Sequence, residues 1–213
     1  MRTASTQARP QLPRRAALAA LLAAAGCVPS LPGQAPAPRT SRVTPKYTFD
    51  PDLPQAKWSL AVAEPISERT LDTNRIAVVT NGINVDYVAL AFWVDRAPAM
   101  VQSLIVQSFR NSGRLVQIGT NRDRVRPQFQ LVSDLRAFQL NRGNGPDMVR
   151  VSLNAQLLRM PERDSVGRES FAAERAPAGS GIDAVVAAFD EALGRVMKEL
   201  VAWTIRTGNR AGP

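Results

Sequence analysis

Two stretches of alternating apolar and polar residues, followed by a long amphipathic helix, constrain the fold of this chain more than any other feature. Residues 129–135 alternate, and from Val149 to Leu157 every second residue is apolar. Because successive side chains of a strand point to opposite faces, this period of two predicts a sheet with one buried and one polar face. Phe138 and Leu140 shift the phase, which predicts a β-bulge near Arg136 and Ala137.

The C-terminal region predicts a long helix. Its apolar stripe is Ile182, Val185, Val186, Phe189, Leu193, Val196, Met197, Leu200, Val201 and Trp203. Ser180 is a candidate N-cap, with Asp183 as its capping-box partner. We expect the stripe to pack on the buried face of the sheet. The alternative is a helix lying on a membrane, but the mixed charge of its polar face argues against that.

Shorter signals complete the fold. Strands are predicted at 58–63, 75–80, 86–93, 115–118 and 166–174. A second helix is predicted from an N-cap at Asp95, with Pro98 in its first turn and Gly113 as its stop. The expected class is α+β, with a mostly antiparallel sheet packed against two main helices, one of them C-terminal and long.

The N-terminus has the pattern of an export signal. Arg14 and Arg15 precede an apolar run from Ala16 to Ala25, and the only cysteine, Cys27, follows small residues. This pattern resembles a bacterial lipoprotein signal, in which the cysteine thiol is acylated and becomes the first mature residue. Ala24 stands where Leu, Val or Ile is usual, so an ordinary signal peptide is the alternative. The run is too short for a membrane-spanning helix, which needs about 20 residues.

These signals divide the chain into four parts. Residues 1–26 are the expected signal peptide, and residues 27–56, rich in proline, are the expected tether behind Cys27. The tether, about 30 residues long, would reach roughly 90 Å if fully extended at about 3.1 Å per residue. The folded domain is expected at residues 57–206, and residues 207–213 are expected to be a flexible tail.

Composition limits the possible chemistry. The chain has one cysteine and no histidine, so disulfide frameworks, imidazole or thiol nucleophiles and most zinc sites are excluded. Without the four arginines of residues 1–26, 23 basic residues stand against 18 acidic ones, a formal charge of +5. An exported chain with this modest positive charge suits an anionic membrane better than nucleic acid, and ordinary solvated surface charge is the alternative.

Seven of the 18 acidic residues are weighed as catalytic candidates, and each has a structural role available to it. They are Asp50, Asp52, Asp72, Asp95, Asp183, Asp190 and Glu191. A hydrolase would need a recessed pair among them with a raised pKa, which is the remaining catalytic alternative. We therefore expect no enzyme, no catalytic residue, no metal and no cofactor.

Five features together resemble a known family. They are the lipoprotein-type Cys27, the strand entry at 71–78, the segment from Asp86 to Asp95 that contains Trp93, the strand pattern at 133–138 and the closing helix pattern at 188–193. In this order they resemble the ABC-type transport auxiliary lipoproteins, which serve MCE-type (mammalian cell entry) lipid transport systems. The resemblance covers roughly residues 57–206.

The resemblance implies a non-enzymatic subunit that is anchored in the outer membrane and faces the periplasm. Its partners would be an MCE-domain protein with its permease and ATPase, and its cargo phospholipid or another hydrophobic molecule. Val28 is not the Asp that retains lipoproteins in the inner membrane, which agrees with outer-membrane sorting. The alternative is a structural lipoprotein that assists envelope assembly without carrying cargo. Assembly into a homo-oligomer is a further alternative.

Two surfaces are candidates for docking a partner. Tyr87, Phe92 and Trp93 could form an aromatic contact patch, and the alternative is that they belong to the core. The strand at Trp58 or the one after Gly167, if it lies at a sheet edge, could accept an extended partner segment by β-augmentation.

Overall fold

A computed structural model of the chain describes residues 37–123, 126–143 and 145–212. The predicted signal peptide and Cys27 lie outside the described residues. The strands are β1 (Arg39–Ser41), β2 (Ala56–Val62), β3 (Ile66–Ser67), β4 (Arg75–Thr80), β5 (Asn84–Trp93), β6 (Leu115–Thr120), β7 (Phe129–Gly143), β8 (Gly145–Arg159) and β9 (Asp164–Arg175). The helices are α1 (Ala97–Ser112) and α2 (Ile182–Ala211).

All these strands belong to one mixed sheet, with β7 at its centre. On one side β7 pairs with β8 and β8 with β9, both antiparallel, which gives a meander. On its other side β7 pairs in succession with β2, β3 and β4, all parallel. Beyond β2 lies β6, and beyond β4 lie β5 and then β1.

The predicted fold class is confirmed. Most paired residues lie in the antiparallel β7–β8, β8–β9 and β4–β5 ladders, and the two helices pack on the sheet. The parallel pairs along β7 were not predicted, because alternation reports which face of a strand is buried and carries no information about its neighbours.

The bulge predicted in β7 is present. The pairing with β8 shifts between Leu135 and Ala137, so Arg136 is the extra residue. One extra residue changes the phase of alternation, and Leu135, Phe138 and Leu140 are consequently all buried. The phase shift in the sequence therefore marked a real irregularity of the strand.

An aromatic cluster joins the sheet to α2. The rings of Trp93, Phe138 and Phe189 meet at centroid distances of 5.3 Å, 5.0 Å and 4.8 Å, in tilted or edge-to-face arrangements. Such aromatic pairs each contribute about 0.5–1.5 kcal/mol beyond the area they bury. The apolar stripe of α2 packs as predicted, with Phe189, Val196 and Leu200 fully buried.

Both helices begin without the predicted side-chain caps. Arg96 is the N-cap residue of α1 and Gly181 that of α2, and neither helix start has a side-chain cap hydrogen bond. The predictions of Asp95 as a cap and of a Ser180–Asp183 capping box are therefore wrong. Asp95 instead accepts a hydrogen bond from the backbone N–H of its neighbour Arg96 at 2.7 Å. The predicted stop of α1 is confirmed, since Gly113 adopts a left-handed φ of 61°.

The folded domain is larger than predicted at both ends. The tether prediction is wrong for residues 39–56, because β1 pairs with β5 and because Val43 and Leu53 are buried. The tail prediction is wrong for residues 207–211, where α2 continues with Thr207 and Gly208 buried. Short apolar residues among prolines are a weak sequence signal, and here they pack against elements that follow much later in the chain.

Candidate functional site

The three aromatic residues proposed to contact a partner do not form one exposed patch. Trp93 is 1% exposed and lies in the aromatic cluster, so the prediction that it contacts a partner is wrong. Tyr87 is half-buried: its hydroxyl donates to the Thr70 carbonyl at 3.2 Å, and the Arg75 guanidinium lies 4.2 Å from its ring centroid. Phe92 is also half-buried. For Tyr87 and Phe92 the contact stays a prediction.

The structure distinguishes the two strands considered for β-augmentation. β2, which contains Trp58, lies between β6 and β7 and offers no free edge. In the described part of the chain β9, which contains Gly167, pairs only with β8. β9 is therefore an edge strand, and pairing with a partner segment remains a prediction for β9 alone.

Several of the carboxylates pair with basic residues. Arg96 bridges Glu64 at 2.7 Å and Asp72, and these two partners raise the pKa of the Arg96 guanidinium. Glu191 pairs with Arg175 at 2.8 Å. Within the residues that the structure describes, no group of three or more His, Cys, Asp or Glu side chains could hold a metal ion.

A groove of about 940 Å³ runs along the exposed side of α2. We call it the α2 groove. One wall is α2 itself, and the other is formed by Asp50 and Pro54, which lie in the segment predicted to be tether. The lining of the groove includes Asp50, Pro54, Lys198, Trp203, Arg206 and Arg210.

Hydrogen bonds to both helices fix one end of the segment 42–55. The Thr44 hydroxyl contacts the Asp190 carboxylate of α2 at 2.9 Å and 3.0 Å. The Lys46 N–H donates to the Ser108 hydroxyl of α1 at 3.0 Å, and the Lys46 carbonyl accepts from Asn111, also at 3.0 Å. The segment therefore crosses from α1 to α2 and is held at defined points.

The other end of the segment is fixed through Asn209. Its side-chain amide donates to the Gln55 carbonyl at 3.0 Å, and its side-chain oxygen accepts from the indole N–H of Trp58 at 2.8 Å. The groove is therefore bounded by α2 and by a segment whose two ends are hydrogen-bonded to the rest of the fold.

Four cations and two carboxylates line the groove, so its charge is positive. Lys198 pairs with Asp50 at 2.7 Å, and Arg195 pairs with Glu199 at 3.3 Å. The hydrogen bond and the charge of Lys198 lower the pKa of the Asp50 carboxyl, and the charge of Arg206 adds to this effect.

Arg206 and Arg210, unlike Lys198 and Arg195, form no ion pair in the described residues. No carboxylate in the described residues lies within 4.0 Å of either guanidinium. Arg210 contacts only the Thr207 hydroxyl, at 3.4 Å. Two arginines at one end of the groove thus lack an ion-pair partner among the described residues.

Sequence reasoning missed this groove. Asp50 and Pro54 were assigned to the tether, and the polar face of α2 was interpreted as solvated. A signal was available in the spacing, because Lys198, Arg206 and Arg210 fall on the same side of the helix as Trp203. Only the fold shows that a second wall stands opposite that face.

No helix in the described part of the chain is both long enough and apolar enough to cross a bilayer. Residues 42–201 match the family described as the ABC-type transport auxiliary lipoprotein component. The match covers most of the chain, so the protein belongs to this family.

Two relatives support the assignment. An uncharacterized protein of Bradyrhizobium diazoefficiens is 30% identical over 168 residues, which are 75% of this chain and 45% of that protein. This chain therefore spans less than half of that relative. The crystal structure of protein XCC0632 from Xanthomonas campestris, of the family DUF330, is similar with a TM-score of 0.77 and 30% identity, covering 81% of this chain and 98% of that one.

A further solved structure, of an uncharacterized protein, has a TM-score of 0.58 at 14% identity, over 74% of this chain and 97% of that one. At this identity the likeness shows the fold alone.

Proposed function

We propose that this protein is a lipid-anchored accessory subunit of an MCE-type ABC transporter that moves phospholipid or other hydrophobic cargo between the inner and outer membranes. The observation that carries the proposal is the family match over residues 42–201. The lipoprotein-type signal at Cys27 supplies the anchor, and Val28 favours the outer membrane with the domain facing the periplasm.

The extent of the folded domain shortens the tether proposed between Cys27 and the sheet. Since β1 begins at Arg39, only about 12 residues separate the acylated Cys27 from the sheet. At about 3.4 Å per residue they span no more than about 40 Å, less than half of the reach expected from a tether ending at residue 56. The proposed subunit therefore works close to the membrane that carries it.

The proposed partner is an MCE-domain protein with its permease and ATPase. Tyr87 and Phe92, together with the edge of β9, are the proposed contact surfaces. The edge strand offers unpaired backbone groups of the kind that accept an extended partner segment. The protein is proposed to act by binding and positioning, without catalysis.

The test is co-purification of the full-length protein in mild detergent, followed by mass spectrometry of the captured proteins. Capture of an MCE-domain protein with a permease and an ATPase is expected. Capture of a β-barrel assembly protein instead would support the structural alternative. A protein that co-purifies with neither would contradict the proposal.

A further inference from the structure

The α2 groove contains two arginines whose mutual repulsion destabilises the helix when no anion is bound between them. Arg206 and Arg210 are four residues apart on α2, a spacing that places like charges next to each other and destabilises a helix. Arg210 lies in the last turn, where the helix dipole favours a cation. That effect fades within one turn, so it contributes little at Arg206, which has no ion-pair partner in the described residues.

The carboxylate of Asp50, which also lines the groove, forms no ion pair with Arg206 or Arg210. Asp50 is held by Lys198 at 2.7 Å, and its distance from Arg206 exceeds the 4.0 Å limit of an ion pair. The groove therefore has room for a further anion beside Arg206 and Arg210. Guanidinium groups are suited to phosphate, because their planar array of donors can form two hydrogen bonds to its oxygens.

Apolar surface lies directly beside the arginines. Trp203 is half-buried one turn before Arg206, and Ala202 and Pro54 also line the groove. The indole packs edge-to-face on Phe171 of β9, with ring centroids 5.8 Å apart, so its position is fixed. A small inorganic anion would leave this apolar surface exposed to water, whereas the glycerol and first acyl carbons of a lipid would bury it.

We propose that the α2 groove binds one anionic phospholipid, with Arg206 and Arg210 donating hydrogen bonds to its phosphate and Trp203 contacting the start of its acyl chains. The volume of about 940 Å³ is at the upper end of the range of small-molecule sites. The ligand's identity as a membrane lipid rests on the proposed function, since a membrane anchor at Cys27 would keep the groove close to a bilayer.

The binding experiment uses the full-length protein in a neutral detergent and needs no partner. The probe is short-chain phosphatidylglycerol with brominated acyl chains, which quench nearby tryptophans. Trp58 and Trp93 are buried, whereas Trp203 is half-buried in the groove. Quenching is expected with this lipid, and it should disappear in Trp203→Phe while binding, followed by calorimetry, persists.

Charge variants give opposite expected shifts. Arg206→Gln combined with Arg210→Gln should weaken binding at least about tenfold, the loss expected for charged hydrogen bonds. Asp50→Asn should strengthen binding, because it removes a competing anion and releases Lys198. Replacing both arginines by lysine retains the charge and should retain part of the affinity. This variant provides a second test if the glutamine variant unfolds.

The matched control is Arg69→Gln with Arg110→Gln. Both residues are exposed and lie outside the groove, and Arg110, like Arg210, lies in the last turn of its helix. An equal loss of affinity in this control would show a non-specific charge effect and overturn the proposal. Equal binding of phosphatidylcholine with the same chains would also overturn it.

Competition with two water-soluble phosphate compounds distinguishes a lipid site from a site for free phosphate. Inorganic phosphate and glycerol phosphate are expected to compete weakly and to leave Trp203 fluorescence unchanged. Full competition by inorganic phosphate would make the site a phosphate site and overturn the lipid assignment. Because the transporter subunits take no part, a failure here is distinct from a failed co-purification.

Discussion

At the scale of single residues, the structure separates aromatic residues that the sequence presents as equivalent. Tyr87, Phe92 and Trp93 lie within one strand, yet Trp93 belongs to the core and the other two are half-buried. Leu90, with a left-handed φ of 56°, interrupts the alternation of the strand between them. Alternation alone therefore could not predict which side chains face outward.

Trp93→Ala is expected to destabilise the fold by about 3–5 kcal/mol, the usual cost of removing a large buried aromatic residue. Trp93→Phe should cost less, because it keeps a ring and also removes a buried indole N–H that has no partner in the described residues. Denaturant unfolding measures both. A Trp93→Ala variant of unchanged stability that no longer captures a partner would contradict the core placement.

Asp50→Asn should lower the stability of the domain in a pH-dependent way. The folded-state pKa of Asp50 is below its ordinary value of 3.8, so the ionised carboxylate stabilises the folded state. This contribution is complete above pH 3.8 and is lost as the pH falls through the lower folded-state pKa.

The melting temperatures of the wild type and Asp50→Asn should therefore differ at pH 7 and converge in acid. Asp52→Asn is the control, since Asp52 is exposed and makes no ion pair in the described part of the chain. A difference that persisted unchanged at low pH would contradict the role of the Asp50–Lys198 pair.

At the scale of elements, the close approach of α2 to β2 depends on a glycine. A Cβ at Gly208 would overlap the Trp58 ring, whereas one at Gly194 would lie 3.9 Å from the nearest atom, in the Lys46 side chain. Both glycines lie within the same helix, so they differ mainly in their surroundings.

Gly208→Ala is expected to destabilise the domain by about 1–3 kcal/mol, because the Trp58 ring must shift in a packed core. Gly194→Ala is expected to stabilise it by about 0.5–1 kcal/mol, since alanine is the better helix former and the space is free. Chemical denaturation compares the two. Equal effects would show that α2 does not approach β2 as described.

At the scale of the whole molecule, the anchor and the fold act together. The family match and the lipoprotein-type signal point to a protein held at a membrane. The α2 groove lies on the same folded unit, which spans residues 37–213.

Cys27→Ala is expected to abolish fatty-acid labelling and to release the protein from the membrane fraction. Cys27 is the only thiol, so no other cysteine can take the lipid. Membrane fractionation after metabolic labelling measures the effect, and Ser30→Ala, in the same segment, is the control. A Cys27→Ala protein that stayed labelled and membrane-bound would contradict the anchor.

Much of the fold could be predicted from local patterns. The alternation in β7 and β8, the bulge at Arg136 and the apolar stripe of α2 each depend on neighbouring residues, and all are confirmed. The predicted caps were wrong, because a capping residue needs a backbone geometry that composition does not specify.

The candidate site could not be predicted, because its residues are distant in sequence. Lys198 and Asp50 are separated by most of the chain, and the wall that Asp50 carries was interpreted as tether. Residues 42–55 are held by hydrogen bonds to α1 and α2, which follow them in the chain. Such a segment has no periodicity that could reveal it.

The sequence by itself determined the fold class, the buried faces of the long strands and of α2, and the lipoprotein-type signal, because each is a local or periodic property of the chain. Only the tertiary structure decided which strands are neighbours of β7, that Trp93 is core, and that the segment 42–55 meets α2 to form a cationic groove. These outcomes depend on long-range packing, whose energies arise between residues that sequence order does not bring together.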